Sequence, residues 1–327
     1  SDIDRNETYL GYGDANVFDS RIRLNAVITN ASDGHRRELA VERPFFALDT
    51  RWSLGGSVRD QQRVDTMYDL GEEIDEFQHD LRSFTLQGGW SRGLIDSQTK
   101  RWLFGITTEE DRFRTTAETT QPLLLPMDRK LVYPWLGWQL LEDDYREMTE
   151  LNDIGRTEDI SLGLNLFASL GFASRSYGSD RDATLLRISA QKGWEPGGSG
   201  RLLLISAGGS ARDEAAELRN SQVYFTGRYF RRNLDKHLFS LTLSALAPNK
   251  LDTENQVLLG GDTGLRGYPL RYQAGKNKAI LNVEQRFFTD WYPWRLFRVG
   301  YAVFADAGYV RGPDPRATPS LGTLYDV

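Results

Sequence analysis

The chain of 327 residues has no cysteine and only three histidines. The first absence excludes a disulfide scaffold and any thiolate metal site. His35, His79 and His237 each fall in a polar stretch that reads as turn or loop, without a partner at ligand or triad spacing. No metal site, histidine-based catalysis or cofactor is therefore expected. No run approaches the roughly 18 consecutive apolar residues of a membrane helix. Helical periodicity long enough to cover a sheet is missing too. Cations are not in excess, since 40 Lys and Arg face 46 Asp and Glu for a net charge of -6. That balance argues against a nucleic-acid partner, because phosphate binding needs clustered positive charge. Phosphate-loop and dinucleotide fingerprints are also absent. "GGSGR" around Ser199 is not a nucleophile elbow, because Arg201 stands where the last glycine belongs. It reads as a hairpin turn, and no residue set points to an enzyme.

What the chain has is alternation. In "SLGLNLFASLGF", Leu162, Leu164, Leu166, Ala168, Leu170 and Phe172 share one face, and Ser161, Gly163, Asn165, Ser169 and Gly171 share the other, with Phe167 the one large intruder. "LFSLTLSALA" and "SFTLQGGWSRG" repeat the pattern, the second setting Phe84, Leu86 and Trp90 against Thr85, Gln87 and Ser91. Such period-two patterning marks strands with one apolar and one polar face. About thirteen segments of roughly ten residues show it, the length at which a tilted strand crosses a bilayer.

A soluble sandwich would alternate as well, but two further features favour a membrane barrel. Aromatics crowd the strand ends (Trp52, Trp90, Trp102, Trp135, Trp138, Trp194, Tyr229, Trp291, Trp294), as barrel girdles require. Connections alternate between short turns and longer polar loops, read at 59–80, 107–129, 173–183, 211–221 and 250–278. Segment 142–159 breaks this rule. It is long on the short-turn side, so either two strands extend beyond the membrane or the strand count slips there. The expected fold is thus all-β, a transmembrane antiparallel β-barrel.

One loop has a constrained tip. In "LLGGDTGLRGYPLRY", Arg266 lies between Leu265 and Gly267, after several glycines and before Tyr268 and Pro269. Glycines permit backbone that other residues resist, and Pro269 forbids a regular ladder, so the loop holds one cation in a set place. On the following strands Asn282, Glu284 and Arg286, then Phe304, Asp306 and Gly308, fall on the polar face. A loop folded inward would bring Arg266 to the Glu284–Asp306 carboxylates. The plainer reading leaves Arg266 in solvent at a loop tip.

"GLRGY" (Gly264, Leu265, Arg266, Gly267, Tyr268), then "NVEQRF" with Glu284 and "FADAG" with Phe304, Asp306 and Gly308, resemble the C-terminal signature of the BamA/TamA-type outer-membrane assembly superfamily. This is the surface-antigen barrel domain, and its relatives include two-partner secretion transporters. The family carries Val-Arg-Gly-Tyr or Val-Arg-Gly-Phe at the loop tip, so Leu265 replaces the usual valine. The resemblance is sharp over 258–310 and looser in "LGYGDANVFD" and "LAVERPFFALDTRWSLGG"; between them only the strand pattern agrees.

The resemblance implies a sixteen-stranded barrel in the outer membrane of a Gram-negative bacterium, acting in protein insertion or translocation. Arg266 would pair with Asp306, with Glu284 as second acceptor, and hold the loop in the lumen. A weak seam would join the first and last strands. Expected partners are outer-membrane lipids and lipopolysaccharide, unfolded or secreted client proteins, and periplasmic or lipoprotein accessory subunits. Residues 1–327 would form one barrel domain, incomplete at both ends, with the last strands and the periplasmic POTRA domains outside this chain. "RGPDPRATPSLGTLYDV" reads as loop, and "NETYLGYGDANVFD" as the tail of a strand or its approach. A passive pore or lipid transporter on the same barrel, and a soluble structural β protein, stay open as alternatives.

Overall fold

Period-two patterning becomes one antiparallel sheet of 15 strands in the computed structural model, which describes residues 6–327 apart from 153, 199, 235, 313, 315 and 316. Ser199, centre of the expected "GGSGR" turn, lies outside the described residues. The sheet begins with β1 (Glu7–Val17), β2 (Ile22–Ala31), β3 (Gly34–Arg43), β4 (Trp52–Asp69), β5 (Glu72–Ile95), β6 (Gln98–Thr115) and β7 (Arg129–Glu142). After a separate ribbon of β8 (Tyr145–Thr149) and β9 (Thr157–Ser161), it resumes with β10 (Asn165–Ala173), β11 (Ala183–Trp194), β12 (Arg201–Glu214), β13 (Glu217–Leu234) and β14 (His237–Asn249). A second ribbon, β15 (Val257–Leu259) and β16 (Gln273–Gly275), precedes β17 (Asn277–Phe288), β18 (Gly300–Arg311) and β19 (Thr323–Asp326). Each sheet strand pairs with the next one in the chain, and among the described residues no pairing joins β1 to β19.

The two faces are inverted relative to a soluble sheet. On β5, Phe84, Leu86 and Trp90 are 44%, 49% and 50% exposed, while Ser91 is 1% exposed. Trp52, Trp90, Trp102 and Trp138 stand opposite one another on β4, β5, β6 and β7, a row of four tryptophans at one level of the outer face. From Trp52 to Val58 the outward positions stay apolar or glycine, about 20 Å along the strand. Beyond them Asp60 accepts from Arg82 at 3.0 Å, and the outer face turns polar. An apolar band edged by tryptophan is what lipid requires and water disfavours.

The sheet also curls. β4 and β18 are ten strand intervals apart in the order, about 48 Å if the sheet were flat. Yet the Tyr68 backbone, on β4, exchanges two hydrogen bonds with Gln256, next to the ribbon that packs on β18. The Asp69 carboxylate, on β4, accepts from Thr318 between β18 and β19 at 3.0 and 3.1 Å. Only a sheet wrapped around its polar face brings these residues together.

Several expectations need correction. Fifteen sheet strands replace the expected thirteen, partly because Thr323–Asp326, read as loop, pairs with β18, and the opening stretch is a full strand from Glu7. Segments 59–80 and 211–221 are not loops. They are strands that run past the apolar band, rich in polar residues apart from an inner cluster with Met67 and Phe77, and meet in two-residue turns. Segment 142–159 holds β8 and β9, a ribbon outside the main sheet, so neither reading of it stands. Leu162 does not join the outward apolar face, since it packs in a buried inner cluster with Leu151 and Leu202. Trp135 leaves the girdle too and points inward, where its indole donates to Thr107 at 3.1 Å. The three histidines lie on strands rather than in turns, and His79 is buried.

Leu86→Arg places a cation in the middle of the outer band. It should destabilise the fold by about 2–4 kcal/mol in urea titrations of folding into lipid vesicles. A change near zero would show that this face does not meet lipid.

Candidate functional site

The 250–276 connection enters the curled sheet and is shaped by its own turns. β15 pairs with β16 from Val257–Gly275 to Leu259–Gln273, closing a small hairpin at its base. A single 3-10 turn, Gly261–Thr263, ends at Gly264 with φ +115, a left-handed position that favours glycine. Leu265 then donates to Gly260 and Tyr268 donates to Leu265, each at 3.0 Å, so the tip is a compact knot presenting Leu265, Arg266 and Gly267.

Three adjacent strands receive the tip through one transverse row. Asn282, Asp306 and Asp326 are register partners on β17, β18 and β19. The Arg266 guanidinium donates from Nε to Asp306 Oδ2 and from Nη2 to Oδ1, both at 2.8 Å, a two-pronged grip that fixes its orientation. Nη1 donates to Glu284, in the next row. Phe304, register partner of Glu284, lies under the guanidinium with its ring 3.6 Å away, a cation–π contact. The Asn282 amide donates to the Gly264 carbonyl at 2.6 Å and to Asp306 at 2.8 Å, and the Gly267 N–H donates to Asp326 at 2.8 Å. The Asp306 side chain is fully buried, whereas that of Arg266 keeps 36% exposure.

Apolar packing seats the same knot. Leu265 is fully buried with Leu259, Ile280, Val310 and Leu324, and Tyr268 packs against this cluster. Gly308 makes the seat possible, because a Cβ there would lie 2.9 Å from Leu265 and 3.0 Å from Leu259. The "FADAG" pattern thus serves one purpose: Phe304 stacks, Asp306 grips and Gly308 makes room. Every residue singled out from sequence, Gly264 to Tyr268 with Glu284, Phe304, Asp306 and Gly308, meets in this one place.

Sequence reasoning placed Asn282 on the polar face without a role and missed Asp326, neither of which carries a motif of its own. It also missed a second anchor higher on the loop. Asp252 accepts from Arg129 on β7 at 2.8 Å and from Arg212 on β12 at 2.6 and 2.8 Å, and Glu254 accepts from Arg129 at 3.0 Å. Arg129 donates onward to Asp111, whose other oxygen lies 3.1 Å from the His79 ring, and that ring is 2.7 Å from Asp65. Its members are scattered through the chain, so no spacing reveals it. Below it a cavity of about 700 Å³ is lined by Arg43, Arg101, Arg187 and Glu109 among others.

A curled antiparallel sheet with an apolar outer band and a loop clasped to its inner face is the architecture of a β-barrel protein. No protein-family model matches the chain, and no curated protein matches it by sequence. Solved structures do match in fold. BamA from Haemophilus ducreyi lacking POTRA domains 1–3 aligns with a TM-score of 0.51 and 9% identity, over 98% of this chain and 69% of that one. CdiB from Acinetobacter baumannii aligns with a TM-score of 0.52 and 10% identity, over 98% of this chain and 56% of that one. The chain has the fold of the BamA/TamA-type outer-membrane barrels.

Arg266→Ala and Asp306→Ala should each cost on the order of 3 kcal/mol, the lower end for a broken buried pair because Arg266 is partly exposed. The double variant should be little worse than either single one in urea unfolding, whereas additive losses would mean that the two side chains act separately. Gly308→Ala should cost about 1–3 kcal/mol by overpacking Leu265, a loss that Leu265→Val should partly relieve.

Proposed function

We propose that the chain is the barrel of a bacterial outer-membrane protein that inserts or translocates other proteins, and that the loop tip at Arg266 anchors its internal plug. The observation that carries this reading is the three-strand grip on Leu265, Arg266 and Gly267, in a fold shared with BamA and CdiB. The loop fills the barrel while touching β4, β7, β12, β17, β18 and β19. It therefore braces the wall against collapse and blocks free diffusion through it.

In this reading β15–β16 enters from the extracellular side, and the Trp52–Trp138 row marks the periplasmic edge of the bilayer. Clients are unfolded or secreted proteins with unpaired strand backbone. Those groups cannot face lipid alone, and a barrel edge that pairs with them lowers the cost of entry. Outer-membrane lipid and lipopolysaccharide surround the barrel, and periplasmic domains or lipoprotein subunits deliver the client. The role needs no cofactor or nucleotide and no catalytic group.

The test uses the complete parent protein in lipid vesicles, with an unfolded outer-membrane protein as client and its protease-protected fraction as the readout. Wild type should accelerate client protection and Arg266→Ala should abolish most of that gain. Arg266→Lys should not restore it, since an ammonium lacks the planar fork that grips Asp306. A wild-type barrel that conducts ions, more so after removal of the loop tip, yet leaves client folding at the rate of empty vesicles would instead make this a passive pore.

A further inference from the structure

The second ribbon, β8–β9, lies at the opposite end of the sheet from the Arg266 loop, in the β7–β10 connection. Among the described residues its strands form no ladder with the main sheet, so it can leave without breaking one. Its bend is nonetheless firmly seated. Leu151 is 2% exposed and packs with Leu162, Leu202, Leu204, Phe230, Leu238 and Phe288. The register places Leu202 and Phe230 in one transverse row with Ser240, Glu284 and Phe304, which is the inner face. Ile154, on the same bend, packs against this cluster and reaches Gly300 on β18. At this mouth the inner wall thus carries an apolar patch, and the ribbon covers it.

Polar contacts hold the ribbon across the mouth. Arg286 on β17 donates to the Leu151 carbonyl at 2.7 Å, Arg232 on β13 donates to the Thr149 carbonyl, and Arg146 donates to Glu195 at 2.7 Å. Arg286 also donates to Glu284, the second acceptor of Arg266. One continuous chain, Arg266–Glu284–Arg286–Leu151 carbonyl, therefore links the loop entering from one end to the ribbon entering from the other. The two meet at the same depth. Glu284 and Phe230 stand in one row on strands two intervals apart, about 10 Å.

We propose that the β8–β9 ribbon is a second, displaceable plug that closes the barrel from the mouth opposite the Arg266 loop, with Arg286 joining the two. The proposal rests on the membrane-barrel reading above but not on the nature of the client. Two plugs in series make a specific demand: opening one leaves the passage shut by the other. The patch of Leu202, Phe230 and Leu238 becomes reachable from that mouth only when the ribbon departs.

The absence of native cysteine makes this directly measurable. Leu202→Cys is introduced into the complete protein in vesicles, with and without replacement of residues 145–161 by a short glycine-serine turn, and labelled with a membrane-impermeant maleimide. The cysteine should be protected while the ribbon is present and react several-fold faster without it. Equal rates would overturn the proposal. If the replacement fails to yield a heat-modifiable barrel, Leu151→Asp, which drives a charge into the apolar seat, gives the same comparison. In planar bilayers, Leu151→Asp and Arg266→Ala should each raise conductance slightly and together raise it by far more than the sum. A pair that conducts no more than Arg266→Ala alone would show that the ribbon closes nothing. Labelling reads the ribbon whatever happens to clients, so failure of the insertion reading leaves this result intact and distinct.

Discussion

A guanidinium gripped by a fully buried carboxylate is the interaction on which the interior of this protein depends. Arg266 reaches Asp306 through two nitrogens and Glu284 through the third, with Phe304 beneath it. Asp306 without its cation would be an uncompensated charge inside the sheet, and Arg266 without Asp306 would lose the two-pronged contact that best fixes its plane. Neither can be exchanged for an apolar residue without vacating the loop from the wall. The backbone contacts from Asn282 and to Asp326 then make the grip one of position as well as charge, because they read the peptide groups of Gly264 and Gly267.

The rest of the architecture follows from the two solvents that the sheet faces. Outside, a strand needs only apolar side chains at alternate positions, with little constraint on which of them. Inside, every charged residue needs a partner. The chain answers with rows of register-matched groups and with a loop that carries its own acidic and basic residues inward. This explains how an identity of 9 to 10% coexists with a shared fold. Such a barrel constrains pattern at most positions and identity at few.

Two inserted segments divide the interior between them. The Arg266 loop is anchored at its tip by β17–β19 and higher up by Arg129 and Arg212, so it spans the sheet from side to side. The β8–β9 ribbon is attached by a small apolar seat and a few arginine contacts to its carbonyls. The difference in anchoring matters for motion. A segment held by dispersed buried ion pairs resists displacement more than one held by an apolar patch and a few arginine contacts.

The loop tip and its partners were legible because they lie on short stretches whose residue types have few other uses: a cation among glycines, then Glu284 and Asp306 on faces set by alternation. Alternation likewise determined the strands of the outer apolar band, since period two is imposed locally by the strand itself. It failed where polar residues stand on both faces. The distal parts of β4, β5, β12 and β13 are rich in such residues and read as loops, and their turns at Leu70–Gly71 and Ala215–Ala216 have positive φ at both residues with little of the usual turn chemistry to announce it. Trp135 and Leu162 face inward against that pattern, because an aromatic or a leucine suits either side until a neighbour claims it.

By itself, then, the sequence determined the all-β class, the outward apolar stripes and most residues of the arginine clasp. Each of these is a property of neighbours in the chain or of a motif with one chemical reading. Tertiary structure alone decided the curl of the sheet, the row that adds Asn282 and Asp326 to the clasp, the Arg129–Asp252–Arg212 brace and the seat of the β8–β9 ribbon. These depend on register between strands far apart in the chain, and register is set by the sum of many pairings rather than by any one segment.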